Sequence, residues 1–146
     1  MAMVEHHRAV VAGRVPVRPA GEAWVRRRTE YVSWLEGGSG LLHLARREGA
    51  AEVVGYAMCH LVPSGPTFDL GEVRGDVESL AVSPQARGEG VGTALLGAVR
   101  AELERRGCRH WSISVAADNT AAARLYERVG FRPLVHMMHA PLDTGV

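Results

Sequence analysis

A strand, a glycine-rich loop and a helix follow one another in residues 77–96, VESLAVSPQARGEGVGTALL. The strand ends at Ser83-Pro84, three glycines fall in the five positions Gly88–Gly92, and an apolar helical repeat begins there. Glycines let a backbone approach a ligand closely, and a helix N-terminus offers unpaired N–H groups with a partial positive charge. With the guanidinium of Arg87 beside it, this loop is predicted to bind an anion, most readily a phosphate.

Other phosphate-binding motifs fit these residues less well. A Rossmann dinucleotide site needs a glycine three positions after Gly90, where this chain has Thr93, and an acidic residue after the next parallel strand. A P-loop needs a lysine, and all 17 basic residues of the chain are arginines. The remaining alternative is a tight turn without a ligand, and the spacing Gln85-x-x-Gly88-x-Gly90 argues against it.

The composition indicates one globular domain. The chain has 146 residues, of which 47% are hydrophobic and 23% charged, with a formal net charge of +1. We expect residues 1–146 to form a single domain, since domains commonly have about 100–150 residues. The near-zero charge predicts neither nucleic acid nor membrane as a partner, and no apolar run reaches the roughly 18 residues of a bilayer span. Without a signal-peptide pattern, a cytoplasmic location is expected.

Neither the cysteines nor the histidines predict a metal centre. Cys59 and Cys108 are too far apart for a zinc knuckle or a redox pair, and we expect both to be reduced thiols. His136 and His139 fall in a predicted strand at an odd spacing, which turns them to opposite faces.

The hydrophobic periodicity predicts an α/β (α+β) fold, with helices packed on a mixed, largely antiparallel sheet. The predicted elements, in chain order, are a possible short strand at 8–11, helix 19–36, strands 41–47, 53–62 and 76–82, helix 91–106, strand 110–116, helix 119–129 and strand 134–142. The apolar stripe of the first helix consists of Trp24, Val25, Tyr31, Val32 and Leu35, and that of the second of Val91, Leu95, Val99 and Leu103. Asp118 is predicted to cap the third helix.

Two blocks of the sequence resemble the GNAT superfamily of N-acetyltransferases. Residues 85–90, QARGEG, match the motif A signature of that family, Gln/Arg-x-x-Gly-x-Gly/Ala after a strand. Further along, Asn119, Leu125-Tyr126 and Gly130-Phe131 follow the family order of Asn, Leu-Tyr and Gly-Phe. The resemblance covers about residues 19–142.

This resemblance implies a GNAT-like fold and acetyl-CoA as the donor, without a metal. The CoA diphosphate would lie on the glycine loop, and the pantetheine arm would pair with the splayed end of the motif A strand and bond to Asn119. The cofactor-binding residues so implied are Leu80, Ala81, Val82, Gln85, Arg87, Gly88, Glu89, Gly90, Val91, Gly92, Thr93, Asn119 and Tyr126.

The resemblance also implies direct attack by a primary amine on the thioester. A backbone N–H near Val82 would polarise the carbonyl, and Tyr126 would face the sulfur, where a phenol can protonate the leaving thiolate. The alternative for Tyr126 is a core aromatic residue on an amphipathic helix.

The general base is expected on the motif A strand, where many members of the family have a glutamate. Glu78 is the first candidate and Asp76 the second, with Glu72 on the preceding loop as the third. Strand alternation places Asp76, Glu78, Leu80 and Val82 on one face, which would direct both carboxylates toward the thioester. Alternatively, Glu78 only solvates the edge of the cleft.

Several properties stay open at this point. Small amines, amino acids, aminoglycosides and protein N-termini all fit as acceptors, and a non-catalytic CoA-binding regulatory module is the alternative function. Only 18 residues precede Pro19, so the N-terminal strand and helix of the family are expected to be shortened. The exposed sheet end and the apolar residues Val135, Met137, Met138 and Leu142 suit a homodimer.

Overall fold

The computed structural model describes Ala9, Val11 and residues 13–143. The helices and strands of residues 13–143 are α1 (Ala20–Glu36), β1 (Gly40–Arg46), β2 (Val53–Pro63), β3 (Val73–Val82), a 3₁₀ turn (Pro84–Ala86), α2 (Val91–Arg105), β4 (Trp111–Ile113) and α3 (Thr120–Val129). Among these described elements, no helix has the length and apolarity needed to cross a bilayer. The short strand predicted at residues 8–11 is wrong at Ala9 and Val11, which are helical, and its other two residues lie outside the described part.

The strands form one open sheet in the order β1-β2-β3-β4. β1 pairs with β2 and β2 with β3 in antiparallel fashion, while β3 and β4 are parallel. Helix α2 packs on one face, and α1 contacts the other through Tyr31 and Trp34. This arrangement confirms the predicted α+β class with a largely antiparallel sheet.

The core lies between α2 and the sheet. All four residues of the predicted α2 stripe pack there, and Val99 is fully buried. Helix and strand approach so closely that a Cβ on Gly75 would lie 2.6 Å from the Leu103 side chain. A second close approach occurs at Gly55, where a Cβ would lie 3.0 Å from the Ala81 carbonyl oxygen and 3.1 Å from Val91. Glycine at these two positions therefore sets how tightly α2 sits on β2 and β3.

Helix α1 buries less of its predicted stripe. Tyr31 is buried and Trp34 stacks on His60 with ring centroids 4.0 Å apart, but the Val25 side chain is 62% exposed and Leu35 41%. The stripe prediction is therefore wrong for most of its residues. Within residues 13–143, the helix rests on the sheet along a narrow line of aromatic side chains rather than along a broad apolar face.

Strand β3 contains a bulge that shifts its side-chain alternation. Ser79 pairs with Met58 and Val77 with Cys59, so Glu78 has no partner residue on β2. An extra residue of this kind turns two consecutive side chains to the same side. The prediction that Asp76, Glu78, Leu80 and Val82 share one face is therefore wrong: Glu78 faces α1, whereas Leu80 and Val82 pack against the α2 core.

The boundaries of three predicted elements change for identifiable reasons. β3 begins at Val73 instead of residue 76, because its ladder with β2 continues to Pro63. β4 ends at Ile113 instead of residue 116, because β3 diverges from it beyond Val77. The cap of α3 is Asn119, whose side-chain oxygen accepts from the Ala122 N–H, and the predicted cap Asp118 pairs with Arg14 instead.

The strand predicted at residues 134–142 is wrong. This segment has no strand pairing with any described residue, and Val135, Met137 and Met138 are 73–95% exposed. Its alternating apolar residues resemble those of a strand, but β-structure requires a neighbouring ladder, and none is formed here. The homodimer expected from the same residues stays a prediction.

Candidate active site

A run of unpaired backbone donors lies between β3 and α2. The N–H groups of residues 88–93 have no hydrogen-bond acceptor within the described part of the chain. The pairing of Ala94 N–H with the Gly90 carbonyl oxygen marks where the helical ladder starts. These donors, together with the positive end of the α2 dipole, form an anion-binding cradle.

Two glycines of this cradle have left-handed backbone conformations. Gly88 and Gly90 have φ of +77° and +80°, a region that disfavours other residues, and a Cβ at either position would meet open space. Open space on this side means that a ligand can touch the backbone directly. Arg87 is exposed and makes no ion pair with any residue in the described ranges, so its guanidinium is available to the same anion.

Arg47 supports the cradle from behind, a contact that sequence reasoning missed. Its Nη2 donates to both carboxylate oxygens of Glu89 and to the Gln85 carbonyl oxygen, all at 3.1 Å. Glu89 and Gln85, predicted as cofactor-binding residues, therefore also attach the loop to the end of β1. Nothing in the local pattern around Arg47 indicates this partnership across 42 positions.

An open wedge separates β3 from β4. The two strands pair only from Gly75 to Val77, and residues 78–82 make no backbone hydrogen bond on the β4 side to any described residue. Leu80, Ala81 and Val82 lie at this free edge, which can accept an extended chain as an added strand. The wedge leads toward the cradle, because Val82 is followed by the 3₁₀ turn and the glycine loop.

Helix α3 faces the same region from the other side of the wedge. A Cβ on Gly92 would lie 3.1 Å from Leu125, so the start of α2 and the middle of α3 are in contact. The Asn119 side chain uses its oxygen as the helix cap at 3.2 Å, which leaves its amide N–H groups as free donors.

The Tyr126 ring packs against aromatic neighbours, and its hydroxyl has no hydrogen-bond partner among the described residues. The ring lies edge-on to Phe131 at 6.1 Å, and Phe131 packs on Trp111 of β4 at 4.5 Å. Burial raises the pKa of Tyr126, so the phenol holds a proton at neutral pH.

The two strand carboxylates have different surroundings. Asp76 accepts a hydrogen bond from Ser112 on β4 at 2.9 Å and lies 3.9 Å from the Arg74 guanidinium, so it joins β3 to β4. Glu78 lies just beyond the last β3–β4 pair and accepts from Arg27 of α1 at 3.2 Å. Burial raises the pKa of Glu78, while the Arg27 guanidinium opposes that rise. Glu78 is therefore the better placed of the two for proton transfer.

The third base candidate, Glu72, lies away from the other predicted catalytic residues. Glu72 is exposed on the loop before β3, up to roughly 20 Å along the chain from Glu78, which makes it a poor base candidate. Tyr126 packs against the core on the α2 side of the sheet, whereas Glu78 pairs with Arg27 of α1, and the structure gives no contact between these two described residues. No group of three or more histidine, cysteine or acidic side chains suited to a metal occurs among the residues that the structure describes.

Comparison with known proteins agrees with this geometry. The profile of the acetyltransferase (GNAT) family matches residues 12–131. The chain is 34% identical over 103 residues to a mycothiol acetyltransferase from Cellulomonas flavigena, a match that covers 70% of this chain and 30% of that protein. The matched segments cover 19–33% of the length of such curated relatives.

Solved structures have the same fold. A putative acetyl transferase from Pyrococcus furiosus superposes with a TM-score of 0.75 at 24% identity, covering 97% of this chain and 92% of that chain. The aminoglycoside N-acetyltransferase AAC(6')-Iy, in complex with a bisubstrate analogue of CoA, superposes with a TM-score of 0.69 at 18% identity, covering 96% and 91%.

Proposed function

Because the chain belongs to the GNAT acetyltransferase family, we propose that it transfers the acetyl group of acetyl-CoA to a primary amine of a small molecule. One observation carries the proposal: six unpaired N–H groups at residues 88–93 lie next to the free β3 edge of the wedge. A diphosphate fits the first of these features and an amide-containing arm fits the second.

Acetyl-CoA would bind along the wedge with its diphosphate on the cradle. The N–H groups of residues 88–93 and the Arg87 guanidinium supply charge-assisted hydrogen bonds, each worth about 1.5–3 kcal/mol. The pantetheine amides would pair with the backbone of Leu80, Ala81 and Val82, and one would accept from the Asn119 amide. This order brings the thioester to the apex of the wedge, where the β3–β4 ladder ends.

The transfer follows from the groups at that apex. The amine nitrogen forms a bond to the acetyl carbon, the C–S bond breaks, and the amine gives up a proton to Glu78, directly or through water. A backbone N–H near Val82 stabilises the carbonyl oxygen as it gains charge. Tyr126 gives its proton to the departing sulfur, and solvent restores the phenol.

The acceptor is proposed to be a small amine, since several curated relatives of the chain are named mycothiol acetyltransferase. The unacetylated form of mycothiol is therefore the first acceptor to test, beside simple amines, amino acids and an aminoglycoside. That similarity covers only 30% of the relative, so the panel must be wide.

The test is turnover of isotopically labelled acetyl-CoA with this panel. Product should be measured as labelled acetyl-amine by mass spectrometry, because a thiol readout would be confounded by an acceptor that itself carries a thiol. We expect labelled product with at least one small amine. Tight acetyl-CoA binding without any acetylated product would instead favour the non-catalytic CoA-binding module.

A further inference from the structure

Four side chains connect α1 to the bulge of β3; we call them the α1 clamp. Arg27 Nη1 donates to the Tyr31 hydroxyl at 3.0 Å and to Glu78 Oε1 at 3.2 Å. The Tyr31 hydroxyl also lies 2.7 Å from Ser79 Oγ. The clamp is thus a continuous chain of hydrogen bonds from a helix to two adjacent strand residues.

The bulge makes the clamp possible. In a regular strand, Glu78 and Ser79 would point to opposite faces, and α1 could reach only one of them. Because β2 has no residue opposite Glu78, both side chains turn to the α1 face. Arg27 and Tyr31 are one helical turn apart, so a single face of α1 meets both.

The clamp differs from the other ion pairs of α1. The Arg26–Glu22 pair is on the surface, with side chains 63% and 43% exposed, whereas those of Arg27 and Glu78 are 23% and 32% exposed. Partly buried charges are screened less by solvent, so the Arg27 charge acts more strongly on its partner.

We propose that Arg27 is a positioning residue, which fixes the Glu78 carboxylate at the apex of the β3–β4 wedge through the α1 clamp. This inference rests on the proposed function, in which Glu78 receives the proton of the amine. Arg27 itself touches neither the donor nor the reacting atoms in that scheme, and acts through the orientation and charge of its partner.

The charged groups around Glu78 determine how removal of Arg27 would change the pKa of that carboxyl group. The ionisable groups that face Glu78 come from three elements: Arg27, Glu30 and Tyr31 of α1, Asp76 of β3 and Tyr56 of β2. Burial raises the pKa of Glu78, Asp76 and Glu30 add to the rise, and only Arg27 lowers it. Without Arg27 the pKa of Glu78 therefore rises, and the carboxyl group needs a higher pH to be ionised and able to act as a base.

The experiment compares Arg27→Gln with the matched control Arg26→Gln, which removes a guanidinium from the same helix without touching β3. The Glu78 carboxyl is titrated by ¹³C NMR, with its resonance assigned through Glu78→Gln, and kcat/KM is measured against pH. For Arg27→Gln we expect the titration and the ascending limb of kcat/KM to move together to higher pH. Activity lost on the acid side should return at higher pH, and Arg26→Gln should match the wild type.

Two further variants and a second acceptor keep the test decisive. Arg27→Lys should move the limb back toward its original position, because it restores the charge. If Arg27→Gln does not fold, Arg27→Met removes the charge and keeps the aliphatic stem. Two acceptors with different amine pKa values distinguish a limb set by Glu78, which stays, from one set by the amine, which moves.

The outcomes separate the clamp from the proposed function. If neither the NMR titration nor the limb moves in Arg27→Gln, the positioning role is overturned while acetyl transfer stands. If the titration moves but the limb does not, Glu78 is not the base and the inference fails together with that step. If the wild type produces no acetylated amine at all, the proposed function itself fails.

Discussion

The two sides of the β3–β4 wedge are made of different chemical groups. On the side proposed for acetyl-CoA, the recognition elements are mainly backbone N–H groups of residues 88–93 and a free strand edge, with only Arg87 and Asn119 adding side-chain donors. On the side proposed for the amine, they are side chains, since the α1 clamp and Asp76 place their carboxylates through hydrogen bonds of 2.7–3.2 Å.

This difference separates binding from chemistry. A backbone cradle depends on φ angles that only glycine adopts easily, so it tolerates little change and has a clear sequence signature. A side-chain network depends on which residues meet in space, and each member can be altered without moving the chain. Donor affinity should therefore respond to glycines, and rate and pH dependence to side chains.

Tyr126→Phe should have the largest effect, which is on kcat. A change in the affinity for acetyl-CoA would contradict the separation of binding from chemistry. Removing a general acid lowers kcat by about 10²–10⁴-fold, while Kd for acetyl-CoA should stay unchanged. The hydroxyl has no partner in the described part of the chain, so the melting temperature should stay the same as well. Rapid-quench turnover and calorimetric binding measure the two quantities. Unchanged kcat with chemistry rate-limiting would return Tyr126 to a packing role.

Gly90→Val should give the second largest effect, with the opposite pattern. It closes the backbone approach and strains a residue with φ of +80°, so the loss of one charge-assisted bond raises Kd for CoA by about 10–100-fold. Gly49→Val is the matched control: Gly49 has φ of +73° and equally open surroundings, but lies in the β1–β2 turn. If both variants weaken CoA binding alike, strain explains the loss and the cradle is misplaced.

Arg47→Gln should give the smallest effect on Kd for CoA. It tests whether a side chain that holds the glycine loop from behind contributes to donor binding. The Arg47 and Glu89 side chains are 48% and 51% exposed, and exposed pairs contribute about 0.2–1 kcal/mol. We expect at most about a fivefold rise in Kd for CoA, which diminishes at high salt. Arg46→Gln, at a neighbouring residue that forms no ion pair with described residues, should leave Kd unchanged.

The sequence predicted the local structure around the glycine loop and α2 well, because its signals are local; the cofactor-binding residues stay a prediction. Closely spaced glycines mark the loop between β3 and α2, and the α2 stripe from Val91 to Leu103 packs as expected. The predicted GNAT-like fold and acetyltransferase family are likewise confirmed.

The surroundings of the strand carboxylates were predicted less well, because they depend on a bulge in β3 that is set by residues far apart in the sequence. The bulge at Glu78 arises from the register between β2 and β3, which strand alternation alone does not reveal. Tyr31 was assigned to an apolar stripe, yet its hydroxyl is the centre of the α1 clamp. The spacing of Arg27 and Tyr31 along one helix was the only signal available, and it does not name their partners on β3.

The close approach at Gly55 shows how a position outside the wedge can control it. A methyl group there would press at once on the Ala81 carbonyl oxygen, at 3.0 Å, and on Val91, at 3.1 Å. These two residues bracket the glycine loop, one at the end of β3 and one at the start of α2. If every position is substituted and acetyl-CoA binding is measured, substitutions at Gly55 should therefore weaken binding as those of the loop glycines do, although Gly55 would not contact the ligand.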